Sequence, residues 1–260
     1  MSEEEKPLSG GNVNPNVVRV RDTVRRALTV ASPTVHEFLL HLERKGFSGC
    51  PRFLGIDDQQ REILSFIDGE TGVPAYLWRD DKALIVTAKL LKTYHDATQD
   101  FAKNTSMKWG IVYPDSSRHE VICHNDFAPY NFIYRDQLPY AVIDFDLIGP
   151  GPRLRDIAYS AYWLTPLSFG SDDLVAQSEA DIKNSSRRLR LFCETYGINA
   201  NDELLDMVFE VLNFMGDKEQ VEKVIGTKAT EKLDAEGHLL HWRKEAKSFY
   251  ENRPRLEANL

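Results

Sequence analysis

The chain reads as an α+β protein in which a small antiparallel sheet carrying one helix precedes a larger, mainly helical part. Three observations point there. Short apolar segments bounded by turn residues fill the stretch up to Gly69, as strands do. Beyond Gly72 apolar residues recur mostly at helical spacing. A hairpin-like stretch from Glu120 to Ile143 interrupts the helical part and carries polar residues at both of its ends.

In chain order, the glycine-containing segment Leu8-Ser9-Gly10-Gly11-Asn12-Val13-Asn14-Pro15-Asn16 leads into Val17 to Val20, a turn at Arg21-Asp22, and Thr23 to Leu28, which together predict an antiparallel hairpin. Ser32 to Glu43 predicts an amphipathic helix. Ser32 stands at its N-cap and Pro33 at the first helical position, and Val35, Phe38, Leu39 and Leu42 form one apolar stripe. Two further strands, Gly49 to Asp57 and Arg61 to Glu70, flank the turn Asp57-Asp58-Gln59-Gln60. A helix follows through Leu84, Val86, Ala88, Leu90, Leu91 and Tyr94, ending at His95 to Thr98, with His95 read as a packed or capped helix-end residue. Later helices are expected around Leu174 to Tyr196, Asp202 to Phe214 and Ala235 to Glu251.

The middle of the chain carries the chemistry. Strands are predicted at Glu120 to Cys123, Phe132 to Tyr134 and Tyr140 to Ile143, with Asp136-Gln137-Leu138-Pro139 turning the chain between the last two. Asp126 and Asn131 lie in the loop before the hairpin and Asp144 at its exit, so the three can converge at one edge. Transfer of a γ-phosphoryl group needs a carboxylate to orient and deprotonate an acceptor hydroxyl, and oxygen ligands to hold Mg²⁺ on the phosphates. Asp126 offers the first, the amide oxygen of Asn131 and the carboxylate of Asp144 the second.

The pattern His124-x-Asp126-x-x-x-x-Asn131, then Ile143-Asp144, then Gly149-x-x-x-x-x-Arg155-Asp156-Ile157-Ala158, resembles the signature of the aminoglycoside phosphotransferase family, a branch of the protein-kinase-like fold. Protein kinases match less well, because they carry a Lys two residues after the catalytic Asp, where this chain has Ala128. The resemblance implies a bilobal fold, with residues 1–67 as the N-terminal nucleotide-binding lobe and 68–260 as the catalytic and acceptor-binding lobe. It also implies Asp126 as base, Asn131 and Asp144 as Mg²⁺ ligands, and His124 and Asp156 as structural supports of the loop. ATP or GTP is the implied phosphate donor. The glycine-containing segment would cover its phosphates, and the backbone of Ser65, Phe66 and Ile67 would meet its base at the hinge, with Phe66 or Ile67 packing on it.

Two departures stand out. Where the family carries a phosphate-gripping Lys on the third strand, this chain has Arg25-Arg26; strand alternation places Val24 and Arg26 on one face, so Arg26 is the first candidate and Arg25 the second. Glu37 or His36 on the helix is its expected partner. Asn125 stands in a loop where the family favours Gly, and Asn tolerates the left-handed backbone better than other residues with a Cβ.

Composition narrows the function classes. The 260 residues are 42% hydrophobic and 10% aromatic, enough to bury a substantial core. No apolar run approaches the roughly 20 residues of a membrane span, and the polar, acidic start Met1-Ser2-Glu3-Glu4-Glu5-Lys6 does not read as a signal peptide, so a cytoplasmic protein without a membrane partner is expected. Cys50, Cys123 and Cys193 are too scattered for a metal site and fit reduced, buried thiols. A net charge of −8 argues against a nucleic-acid partner, since the basic runs at Arg19 to Arg26 and Arg187 to Arg190 are short, and suits a cationic acceptor. The partners expected are a nucleotide and a small hydroxylated acceptor. For the acceptor wall the late segments offer the carboxylates Asp172, Asp173, Glu194, Asp202, Glu203 and Asp206. Tyr159, Tyr162, Trp163 and Trp242 are available for stacking on a ring. Three readings follow: an antibiotic or other small-molecule kinase, a kinase of a different metabolite such as an amino alcohol or sugar, and a non-catalytic immunity or binding protein on the same fold.

Overall fold

The computed structural model describes residues 4–8, 17–101, 107–169 and 178–260. Most of the glycine-containing segment, together with Asp172, Asp173 and Leu174, lies outside the described residues.

Five strands, β1 (Lys6–Pro7), β2 (Val18–Val20), β3 (Thr23–Ala27), β4 (Phe53–Ile56) and β5 (Arg61–Ser65), form an antiparallel sheet in the order β1-β2-β3-β5-β4. Its register places Arg26 of β3 directly opposite Glu62 of β5. Helix α1 (Ser32–Arg44) buries Val35, Phe38, Leu39 and Leu42, as their spacing requires. Each such burial contributes on the order of 2 kcal/mol. Ser32 does not cap this helix. It is the first helical residue, and its hydroxyl turns back to accept the Thr29 N–H at 2.9 Å, fixing the turn that enters the helix.

The helical part consists of α2 (Lys82–Thr98), α3 (Arg153–Leu164), α4 (Glu179–Tyr196), α5 (Asp202–Gly216), α6 (Lys218–Ile225), α7 (Thr227–Ala235) and α8 (His238–Glu257). Helix α4 opens on a reciprocal cap between Ser178 and Asp181 and closes on left-handed Gly197. Two small ribbons hold the middle of the chain: β6 (Val121–Cys123) with β9 (Gly149–Gly151), and β7 (Phe132–Arg135) with β8 (Leu138–Val142). The turn of the second is narrower than expected, because Asp136 and Gln137 take φ of 52° and 63° and close a two-residue hairpin that leaves Leu138 and Pro139 in the strand.

Tyr94 of α2 sits at the junction of the two parts, fully buried against the rings of Phe38, Phe47, Phe127 and Phe145. This cluster fixes the sheet over the segment that follows β6. Gly149 fixes the other side, since a Cβ there would lie 1.9 Å from the Ile111 carbonyl oxygen. All three cysteines are buried thiols. Among the described residues no helix is long and apolar enough to cross a membrane.

Candidate active site

The loop from His124 to Asn131 leaves β6 and is held from below by one carboxylate. Asp156 on α3 accepts the His124 N–H at 2.7 Å and the Asn125 N–H at 2.8 Å, one on each oxygen. His95 at the end of α2 lies 3.1 Å from the same group through Nε2, and its Nδ1 lies 2.7 Å from the Tyr196 hydroxyl. Arg153 donates to that hydroxyl at 2.9 Å, so Tyr196 donates onward to Nδ1 and His95 gives its Nε2–H to Asp156. Burial alone would raise the Asp156 carboxyl, but His95 and the loop amides bring it below the ordinary carboxylate range. Burial lowers His95, which fits the neutral tautomer this chain of bonds needs. His95 is therefore more than a helix-end residue, and the Asp156 network extends further than the motif suggests.

Asn125 adopts φ 64°, the left-handed conformation anticipated from its place in the loop. Its side chain is also tied on every side: the amide nitrogen donates to Leu147 O at 2.8 Å and Ile111 O at 3.2 Å, and the amide oxygen accepts Arg155 Nε at 2.7 Å. His124 points the other way, its Nε2 meeting Ile143 O at 3.1 Å, so it joins the loop to the backbone just before Asp144. Burial pushes the His124 imidazole down to about 4.

Asp126 emerges from this frame half-buried. Asn131 donates its amide nitrogen to Asp126 Oδ2 at 2.8 Å and to Asp126 O at 3.0 Å. Tyr130 donates its hydroxyl to Asp126 Oδ1 and meets the Tyr159 hydroxyl at 2.8 Å. Burial outweighs these bonds and, with the nearby Asp144 charge, raises the Asp126 carboxyl to about 6. Burial likewise holds Tyr130 as a neutral phenol.

Asp144 lies at the exit of β8 with φ 68° and a half-exposed side chain. Asp146 follows on a short 3-10 turn, Phe145–Leu147. Its charge, added to desolvation in the cleft, raises the Asp144 carboxyl above its ordinary range. Arg26 meets both: its fork grips Asp146 at 2.6 and 3.1 Å and comes within 3.5 Å of Asp144. Arg25 points elsewhere, toward Thr23 and Asp57.

The partner of Arg26 differs from the expected one. Glu37 is exposed, and Arg26 Nε instead pairs with Glu62, the buried residue facing it across the sheet. His36 joins from α1 at 2.7 Å on the other Glu62 oxygen, stacked 3.8 Å from the Phe53 ring. The helix thus contacts the carboxylate and not the guanidinium. A signal existed in the sequence: Glu62 alternates with Leu64 on the buried face of β5, where a charge requires a partner. Burial opposes the Arg26 charge, yet Asp146, Glu62 and Asp144 raise its pKa; His36 and Arg26 keep Glu62 below the carboxylate range despite its burial.

At the expected hinge, the Ser65 N–H bonds Arg52 O and the Phe66 N–H bonds Asp22 O, both at 2.9 Å. The Phe66 ring is covered by the Arg19 guanidinium at 3.7 Å. Beside Asp126, the rings of Tyr130, Tyr159, Tyr162, Trp163 and Trp242 make one cluster, with Tyr130 edge-on to Trp163 at 5.6 Å. Of the proposed wall carboxylates, Glu203 pairs with Arg118 and Asp206 with Arg253. Buried Glu245, bonded by Tyr162 at 2.7 Å, lies nearer the aromatic cluster and carried no motif to mark it.

An antiparallel sheet with one helix, a mainly helical second part, and a loop that sets an aspartate beside an asparagine and a further aspartate define a protein of the protein-kinase-like fold. The chain belongs to the phosphotransferase enzyme family, whose sequence model matches residues 107–192. It is 30% identical over 200 residues, 75% of each chain, to the trifolitoxin immunity protein of Rhizobium leguminosarum bv. trifolii. Among solved structures it resembles the aminoglycoside phosphotransferase APH(2")-IIa in its gentamicin complex, with a TM-score of 0.55, 16% identity, and 95% and 93% of the two chains covered. It also resembles choline kinase from Cryptosporidium parvum, with a TM-score of 0.54, 13% identity and coverage of 99% and 92%.

Proposed function

We propose that the protein transfers the γ-phosphate of ATP or GTP to a hydroxyl of a small molecule. The observation that carries this reading is the arrangement around Asp126: a carboxylate raised to about 6, gripped by the amide of Asn131 and close enough to Asp144 to feel its charge. Such a group orients a hydroxyl and accepts its proton as the oxygen attacks phosphorus.

Mg²⁺ suits the donor set. Asn131 contributes a neutral oxygen and Asp144 a half-exposed carboxylate raised by desolvation and by the Asp146 charge, which Arg26 offsets only in part and a divalent cation would relieve further. When bound, the ion would neutralise charge on the β- and γ-phosphates. Arg26, now on Asp146, is placed to exchange part of that contact for phosphate oxygens while Glu62 and His36 keep its stem in place. With the Ser65 and Phe66 amides engaged inside the protein, base recognition by a hinge amide falls to Ile67, and residues 1–67 act as the nucleotide-binding lobe.

The decisive experiment is Mg²⁺-dependent phosphate transfer from ATP and GTP to aminoglycosides, amino alcohols and sugars, with Asp126→Ala in parallel. Transfer that survives in the variant would remove Asp126 from the mechanism. A second reading, a non-catalytic immunity protein that binds its target, is favoured by the relative's name and by the Arg26–Asp146 contact, which occupies a carboxylate beside the metal ligands. Nucleotide binding without transfer to any acceptor would support it.

A further inference from the structure

Both oxygens of the Asp126 carboxylate carry a donor: Oδ2 takes the Asn131 amide at 2.8 Å and Oδ1 takes the Tyr130 hydroxyl. The two donors differ in how they are fixed. Asn131 is 7% exposed, and its backbone carbonyl accepts the Ile143 N–H at 2.9 Å, so it belongs to the frame. Tyr130 is part-exposed on the short 3-10 turn Pro129–Asn131, edge-on to part-exposed Trp163 and 2.8 Å from the Tyr159 hydroxyl. Tyr130 thus stands between Asp126 and the aromatic side chains of α3 and α8.

We propose that Tyr130 is a specificity-determining plug, its hydroxyl held on Asp126 where the acceptor hydroxyl must bind. This rests on the reading of Asp126 as the base. An acceptor displaces the phenol, which keeps Tyr159 as its hydrogen-bond partner. Without an acceptor, the phenol keeps water off Oδ1 and suppresses wasteful hydrolysis. In that side reaction water oxygen bonds to the γ-phosphorus, the bond to the β-phosphate oxygen breaks, and Asp126 takes the proton, giving nucleoside diphosphate and inorganic phosphate.

Tyr130→Phe keeps the ring against Trp163 and vacates one oxygen's space beside Oδ1. The first readout needs no activity: carbodiimide coupling of an amine to Asp126, followed by mass spectrometry on nucleotide-free protein, with Asp144 as internal control. Asp126 is expected to couple about tenfold faster in Tyr130→Phe than in the native protein, the effect of one lost charge-assisted hydrogen bond, with Asp144 unchanged. Tyr159→Phe, which removes a hydroxyl one step away, should give a smaller rise. Equal coupling in native protein and Tyr130→Phe overturns the proposal, as does an equal rise in Tyr159→Phe, which would mean general loosening. The second readout is phosphate release from Mg-ATP without acceptor, expected to rise in Tyr130→Phe and to vanish in Tyr130→Phe/Asp126→Asn. Faster coupling with no phosphate release in any variant upholds the cover of Oδ1 by Tyr130 and overturns its role in suppressing hydrolysis, while loss of acceptor transfer in Asp126→Ala tests the base separately.

Discussion

Arg26 and Glu62 face each other across adjacent antiparallel strands, and their side chains close a buried ion pair completed by His36 and Asp146. A backbone register therefore fixes the cation that meets the cleft carboxylates. The arrangement gives β3 a guanidinium whose stem is immobilised by the sheet and whose fork is aimed at Asp144 and Asp146.

Glu62→Ala should destabilise the fold by about 3 kcal/mol, because it leaves a buried guanidinium and His36 without their shared partner. Urea unfolding followed by circular dichroism measures this. A loss under about 1 kcal/mol would mean that Asp146 alone compensates Arg26.

Arg26→Lys keeps the charge and loses the fork. One ammonium cannot hold Glu62 and both Asp146 oxygens at the distances seen here. Nucleotide affinity is expected to fall about tenfold by calorimetry. Unchanged affinity would place the phosphates away from Arg26.

Asn125 serves two ends at once, a left-handed backbone and three side-chain hydrogen bonds. Asn125→Gly relieves the backbone but orphans Arg155, and should cost about 1–2 kcal/mol; Asn125→Ala adds strain and should cost about 1 kcal/mol more. Thermal melting of the pair separates the two contributions. Equal melting temperatures would show that backbone strain is absent.

Acid should remove the stability that His124 contributes before it reaches most carboxylates. His124 is held down to about 4 by burial, against 6.5 for an ordinary imidazole. Between those values the unfolded chain binds a proton at His124 that the native chain does not, so the His124 contribution is full above about 6.5, falls as pH drops toward 4, and levels off below it, a loss of about 3 kcal/mol. Asp126, raised to about 6, works the other way, its native form taking a proton before the unfolded one does. The lowered His95 acts in the same direction as His124, and the lowered Asp156 extends the loss to more acidic pH. Unfolding midpoints of the native protein and His124→Gln taken from pH 8 to 4 test this: the stability difference between the two should move by about 3 kcal/mol in the variant's favour as pH falls, and a pH-independent difference would contradict it.

The sequence exposed what depends on spacing along the chain. Asp126, Asn131 and Asp144 sit at fixed intervals around a hairpin, and Arg26 follows from alternation along one strand, so their placement needed no tertiary information. Glu62 and His95 meet their partners 36 and 61 residues away, through a sheet register and a helix packing that no local pattern encodes. At the expected hinge, sheet and turn bonds to Arg52 and Asp22 engage the Ser65 and Phe66 amides, pairings with distant residues that position along the chain does not reveal. Helix α3 buries residues on every side, so no single apolar stripe marks it along the chain. Helices α6 and α7 are short and bury little apolar surface, which left weak stripes to detect.

The bracing of Asp156 also sets a limit on modularity. Residues 107–192, the segment that matches the family, contain Asp126, Asn131, Asp144 and Asp156, and so carry every carboxylate assigned to the chemistry. They exclude His95, Tyr196, Arg26 and Glu62, and with these the groups that keep Asp156 charged and offset the Asp144–Asp146 repulsion. Grafted into another scaffold, that segment would bring its reactive groups without the means to hold them; the transferable unit is the set of side chains that meet in space, drawn from both ends of the polypeptide.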